Sequence, residues 1–402
     1  MDLDAYRGSA ESFISELTGA YYRHYAGLEA EYEIEPIYGR HASLFTPDAV
    51  SRLRDHADAA PSGTDQQRRA RMLVDFAIEG NLGQATKALD AELARREGAM
   101  SIEIEGVRIG FRESAVLQAN EPRGEMRELV EQARLELTER ELGPLYRELI
   151  ELQHETVSEL GYRSYRQMCE QCKALDLDGL AQQTDFFTAE TDTVYEPMLE
   201  PELRRSLGIG VAQLRRADVP RFFRAPDQDR WFPAQRLVPS LIESHRWLEL
   251  HLGIEDTAEL VLHARAQRLI YLRRYAAKLR YELELHGGRR PLDELPRRYA
   301  QLLGSALRID WPQQTYLADV DPGFYSACYL RAWALEAHLR NYLEQRFGQE
   351  WFTKPEAGHT LKQLWSQGQR LTAEELLQEL TNEQLDFSIL LRDLQLGKPD
   401  RT

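Results

Sequence analysis

Residues 66–114, QQRRARMLVDFAIEGNLGQATKALDAELARREGAMSIEIEGVRIGFRES, decide the fold class, because the periodicity of the chain changes inside them. A long helix is expected from Gln66 to Arg96. From Ser101 the apolar residues Ile102, Ile104, Val107, Ile109 and Phe111 alternate on either side of Glu105-Gly106. Alternation about a two-residue turn ending in glycine is the pattern of a β-hairpin. This hairpin, near residues 101–112, is the one strand signal in the chain.

Everything around it reads as helix. On the N-terminal side, residues 3–34 carry Phe13, Leu17, Tyr21, Tyr25 and Leu28 at helical spacing, and Pro36 ends the run. Thr46-Pro47 caps a helix to about Ala59, before the loop APSGTD. On the other side, helix is expected from about Arg123 to Leu160, then over 163–173 and 177–206. Residues 208–240 are irregular, with Pro220, Pro226, Pro233 and Pro239 among Phe222, Phe223, Trp231 and Phe232. That composition suits a lid, a cleft wall or an inter-lobe crossing. Helices resume over 242–286, 292–307, 322–347, 357–367 and 372–381. The expectation is a mainly α, multi-helix body in three regions, 1–120, 121–241 and 242–402.

Composition narrows the functions. Fifty Lys and Arg against sixty-six Asp and Glu leave a net charge of −16, which argues against a nucleic-acid-binding surface. No apolar run reaches the roughly 18–20 residues that span a bilayer, so no membrane partner is expected. The N-terminus, MDLDAYRGSAESF, lacks the basic and apolar regions of a secretory signal. Three cysteines make no disulfide framework, which fits a cytoplasmic location.

Most short motifs dissolve on inspection. Cys169-Glu-Gln-Cys172 is a lone CxxC without a second ligand pair, and reads better as two packed cysteines than as half a zinc site. His154-Glu155-Thr156-Val157-Ser158 begins like HExxH, but Ser158 stands where the second histidine is needed. No histidine in the chain lies four residues before another, so His154 reads as a surface or interhelix residue. Neither GxSxG nor GxxxxGK[ST] occurs. The stretch with most content is DPGFYSACYLRAW, residues 321–333. Asp321 before Pro322-Gly323 suits a helix cap, and Tyr325 and Tyr329 fall on one face of the helix that follows. Two phenols at a helix mouth can donate to a polarised carbonyl oxygen; the competing reading is simple core packing.

This stretch, with WSQGQR (365–370), RRYAAKLRYELELHG (273–287), LGYRSY (160–165) and the hairpin, resembles the helical zinc peptidases of the oligoendopeptidase and thimet-oligopeptidase kind, family M3, in particular a bacterial M3-like branch. The resemblance implies a gluzincin-type helical fold and assigns Tyr325 and Tyr329 the position of the family's oxyanion-stabilising tyrosines. It also exposes a gap. FPAQRLVPSL (232–241) is similar to the family's approach to the metal, and RWLEL (246–250) to its exit. The HExxH helix and the helix bearing the glutamate ligand are missing between them, near Ile242-Glu243-Ser244-His245. No zinc or other cofactor, and no metal ligand, is therefore expected in this chain.

The resemblance implies a zinc-less, catalytically inactive metallopeptidase homologue with a cleft for an oligopeptide. Two alternatives stay open. One is an active zinc-dependent oligopeptide endopeptidase whose central segment has been lost from this sequence by gene-model error, deletion or engineering. The other is a helical binding or scaffold protein that forms homo-oligomers over exposed apolar faces.

Overall fold

The computed structural model describes residues 1–229, 244–254, 257–288 and 290–395. The fold is mainly α, with one two-stranded antiparallel sheet among the described residues. β1 (Ser101–Ile104) pairs with β2 (Val107–Gly110), with Ile102 opposite Ile109 and Ile104 opposite Val107. Glu105 and Gly106 sit at φ 52° and 78°, the two left-handed positions of a tight hairpin turn. Phe111 does not extend the strand as its alternation suggested. Its N–H closes the hairpin on the Met100 carbonyl at 2.9 Å, and the residue begins a helix, α5 (Phe111–Asn120), that the sequence pattern did not announce. Phe111 then packs with Leu93 and Leu142 beneath the hairpin.

The first long run is shorter than its periodicity implies. α1 (Leu3–Tyr25) stops because Gly27 turns left-handed, at φ 74°. Leu28 and Gly27 then donate to the Arg23 and His24 carbonyls at 2.8 and 3.0 Å, the two bonds of a Schellman cap. After α2 (Glu35–Arg40), α3 (Pro47–Ala59) starts where expected, with Thr46 Oγ1 accepting from the Ala49 N–H. α4 (Asp65–Ala99) runs the length expected and carries two glycines at close approaches. A Cβ on Gly80 would lie 2.0 Å from the Phe45 ring, which is 1% exposed and cannot retreat. Gly80→Ala is expected to destabilise the protein by about 2–3 kcal/mol through overpacking. Gly8→Ala in α1, where a Cβ meets nothing within 4 Å, should instead be neutral or stabilising by up to about 1 kcal/mol. Urea midpoints compare the two directly, and equal shifts would refute the close approach.

Downstream, several expected helices are divided. The 123–160 run is α6 (Gly124–Leu137), a wider π turn at Thr138–Leu142, and α7 (Gly143–Glu159). α8 (Tyr165–Cys172) precedes α9 (Leu177–Glu190) and α10 (Asp192–Leu207), which part at Thr191. There the threonine hydroxyl bonds back to the Phe187 carbonyl at 2.8 Å. The irregular region contains a short helix, α11 (Val219–Arg224). The expected 242–286 helix is also two pieces. α12 (His245–Trp247) continues as a π turn to Leu252 and ends at Gly253, φ 68°. α13 (Ala258–His286) follows.

α13 is the spine of the molecule, and its small or aliphatic residues Ala266, Leu269, Leu272, Leu279 and Leu283 are buried in the main core. α14 (Leu295–Leu307) packs on it, as does α15 (Tyr325–Phe347), which runs antiparallel. Ring contacts from Tyr271 to Trp333 and from Tyr275 to Tyr329, with a hydrogen bond from Ser326 to Glu282, fix that direction. α16 (Pro355–Ser366), α17 (Ala373–Thr381) and α18 (Ser388–Gln395) complete the helices of the described residues, the last unforeseen. Among the described residues no helix is long and apolar enough to cross a membrane.

Candidate functional site

The DPGFY stretch forms a sharply bent entry to α15. Pro322–Phe324 make a single 3₁₀ turn, in which Gly323 and then Phe324 are left-handed, at φ 65° and 54°. Phenylalanine seldom adopts that conformation, and an inherent cost of about 1–3 kcal/mol is borne only where the surroundings dictate it. Here they do. The Phe324 ring is fully buried against His286, at 5.3 Å between centroids, and the Gly323 N–H donates to the Tyr165 hydroxyl at 2.9 Å. A Cβ on Gly323 would meet Lys173 Cε at 3.1 Å.

Asp321 does not cap the helix. Its carboxylate makes no capping bond and pairs instead with Lys278 Nζ at 2.7 Å, because the left-handed pair turns α15 away from it. Lys278 belongs to a polar stripe on α13, one turn apart at each step, that holds the bend from below: Lys278, Glu282, His286. Glu282 Oε1 accepts from the Asp321 N–H at 3.0 Å, while Oε2 accepts from the Ser326 hydroxyl. Asp319 is held by Arg274 and by the Tyr299 hydroxyl, the latter at 2.7 Å. Burial pushes the Glu282 carboxyl up to about 7, with Lys278 acting against that rise.

This scaffold presents Tyr325 and Tyr329 outward. They are 53% and 41% exposed, so core packing is not their role, and their rings meet edge to face at 4.9 Å. Tyr329 stacks on Trp333 at 5.9 Å, and Tyr275 touches both, at 5.3 Å each. Tyr271 and Phe223 extend the row along α13 to α11, with rings 4.3 Å apart. The result is an aromatic wall along the α13–α15 seam, with the two tyrosines at one end. Sequence reading found the pair but missed the wall. Tyr271, Tyr275 and the Tyr329–Trp333 step do repeat at four-residue spacing, yet only packing shows that two helices pool their rings.

The remaining candidates resolve into structural roles. His154 is an interhelix residue, its Nε2 3.0 Å from His286 Nδ1. Burial holds both rings below the usual histidine range, His286 well below it. Cys169 is buried and Cys172 half-buried, and burial raises both thiols, so they stay protonated. His245 faces the Thr257 hydroxyl at 2.6 Å. Residues 232–241 and the Ile242-Glu243 junction lie outside the described residues. Among the described residues no three His, Cys, Asp or Glu side chains converge to hold a metal ion. Among the described residues, the two imidazoles that meet have no third ligand side chain beside them, so this pair does not make up a zinc-ligand set.

No family model, no curated protein and no solved structure matches this chain.

Proposed function

We propose that the chain is an M3-like peptidase homologue without a zinc site, which binds an extended oligopeptide along the aromatic wall and does not hydrolyse it. The observation that carries this reading is the outward-facing Tyr325–Tyr329 pair, held in a bend whose backbone is strained and clamped from below. Such preorganisation is costly for a pair with no ligand to meet. Hydrolysis would need a metal-activated water and a general base, and the sequence carries no two histidines four apart to build the family's centre. Donors for an oxyanion without a nucleophile retain little rate enhancement. Three free thiols accord with a cytoplasmic setting.

Metal analysis of the purified protein, paired with a fluorogenic oligopeptide bearing aromatic side chains, tests the proposal. The expected result is zinc far below stoichiometry, no cleavage, and saturable binding that Tyr329→Ala weakens about tenfold, the equivalent of one lost aromatic contact. Stoichiometric zinc with EDTA-sensitive cleavage would overturn it in favour of an active endopeptidase. Absence of binding, with a concentration-dependent oligomer by light scattering, would favour the scaffold reading.

A further inference from the structure

The clamp beneath the tyrosines is one positive charge short. Three carboxylates, Asp319, Asp321 and Glu282, face two cations, Arg274 and Lys278. Lys278 is committed to Asp321 at 2.7 Å and stands 3.9 Å from Glu282. Arg274 is committed to Asp319. The group left over, Glu282, is also the most deeply buried of the three, at 0% exposure. The further cation at the bend, Lys173 beside Gly323, is paired with Asp75 and Glu79. Tyr281 adjoins it on α13, Tyr165 faces it from α8, and His286, one turn on, is neutral. An uncompensated carboxylate in such a place either takes up a proton or drives the structure apart.

We propose that Glu282 is a proton-operated latch: with its proton it holds the Asp321–Ser326 bend closed, and on losing the proton it favours opening of the bend and release of the Tyr325–Tyr329 pair from its fixed position. The protonated group loses no partner. One oxygen still accepts from the Asp321 N–H, while the hydroxyl on the other donates to Ser326 Oγ. Ionisation leaves the contacts in place but adds a net negative charge that only solvation can relieve, and solvation requires the bend to lift. Glu282 acts through Ser326 and Asp321 and touches no ligand, so it is a positioning residue. That the latch gates peptide uptake rests on the function proposed above; the latch itself does not.

The sign follows from linkage. The closed state holds the Glu282 proton up to about pH 7, whereas a solvated carboxyl loses it near its ordinary value of 4.5. The closed bend therefore binds the proton more tightly, and opening becomes more favourable as pH rises between those values, levelling off above the upper one. From pH 6 to pH 8 this amounts to about a tenfold gain in the opening equilibrium. Burial lowers both the His154 and His286 imidazoles, His286 well below the usual histidine range, which moves their own charging toward lower pH.

Hydrogen exchange by mass spectrometry on the full chain, corrected for intrinsic chemical rates, reads the bend without any ligand. Amides in 323–329 should lose about tenfold in protection from pH 6 to pH 8. Glu282→Gln, whose amide can donate to Ser326 and accept from Asp321, should stay protected at both. Asp319→Asn balances the cluster by charge and should move the transition to lower pH, which keeps the test decisive if the Glu282 variant fails to fold. Protection independent of pH in the wild type, or an unchanged tenfold loss in both variants, would overturn the latch. Failure of the fluorogenic peptide to bind would leave this readout untouched.

Discussion

Replacing Arg273 with alanine is expected to destabilise the protein by about 3–5 kcal/mol, the largest single-residue effect we foresee. The guanidinium is 1% exposed and serves three helices at once. It donates to the Ala306 carbonyl of α14 at 2.7 Å, and to the Thr188 carbonyl and Thr191 hydroxyl at the α9–α10 break at 2.7 and 2.8 Å. It also lies over the Tyr195 ring, 4.6 Å from its centroid. The ion pair with Asp192, at 2.6 Å, is the lesser part, because that carboxylate is half exposed and screened by solvent. The dominant loss is of buried hydrogen bonds: the Ala306 carbonyl loses its guanidinium donor, and the Thr188 carbonyl, at the helix break, keeps only the Thr191 hydroxyl at 3.1 Å. Arg273→Lys, which keeps the charge but cannot reach three acceptors in a plane, should recover less than half of the deficit. Denaturant unfolding of the two variants decides the matter; a loss below about 1 kcal/mol for alanine would show that water replaces the guanidinium without cost.

Lys278→Met should be nearly as damaging and, unlike the first, strongly dependent on pH. The methionine fills the volume of the aliphatic stem but leaves Asp319, Asp321 and Glu282 with Arg274 alone. At pH 8 the expected cost is about 3–5 kcal/mol, that of an uncompensated buried charge. Removing the cation that opposes the rise moves the Glu282 carboxyl upward from about 7. A carboxyl raised in the folded state gives up stability as pH climbs from its unfolded value toward its folded one. In the wild type that decline ends near pH 7, whereas in the variant it continues, so the stability gap should widen by about 1 kcal/mol between pH 6 and pH 8. Urea titrations at the two values measure it. A gap that stays constant would mean that Glu282 is not the group carrying the excess charge.

Both predictions concern contacts that sequence could not display. Arg273 and Lys278 stand in a helix legible from its periodicity, but Thr188, Ala306 and Asp321 lie 85, 33 and 43 residues away. The helix ends show the same division. Thr46 and Pro47 start α3 as their chemistry requires, since a cap is satisfied within one turn. Asp321 looked like the same kind of cap and is not one, because a lysine from another helix takes its carboxylate and two left-handed residues redirect the chain. The run to residue 34 was overextended for a comparable reason. Tyr25 and Leu28 keep helical spacing, but Gly27 between them can terminate a helix at little cost.

Local pattern alone determined that this chain is mainly helical with one hairpin, and that Tyr325 and Tyr329 share a helix face. Periods of 3.6 and 2 residues, and a turn that needs two left-handed positions, are properties of neighbours in sequence. Only the tertiary structure decided that the two tyrosines face outward, that Tyr275 and Trp333 join them in one wall, and that three acids share two bases beneath. Exposure and charge balance belong to the assembled packing of α13 against α15, and no local period records which side chains another helix will bring to them.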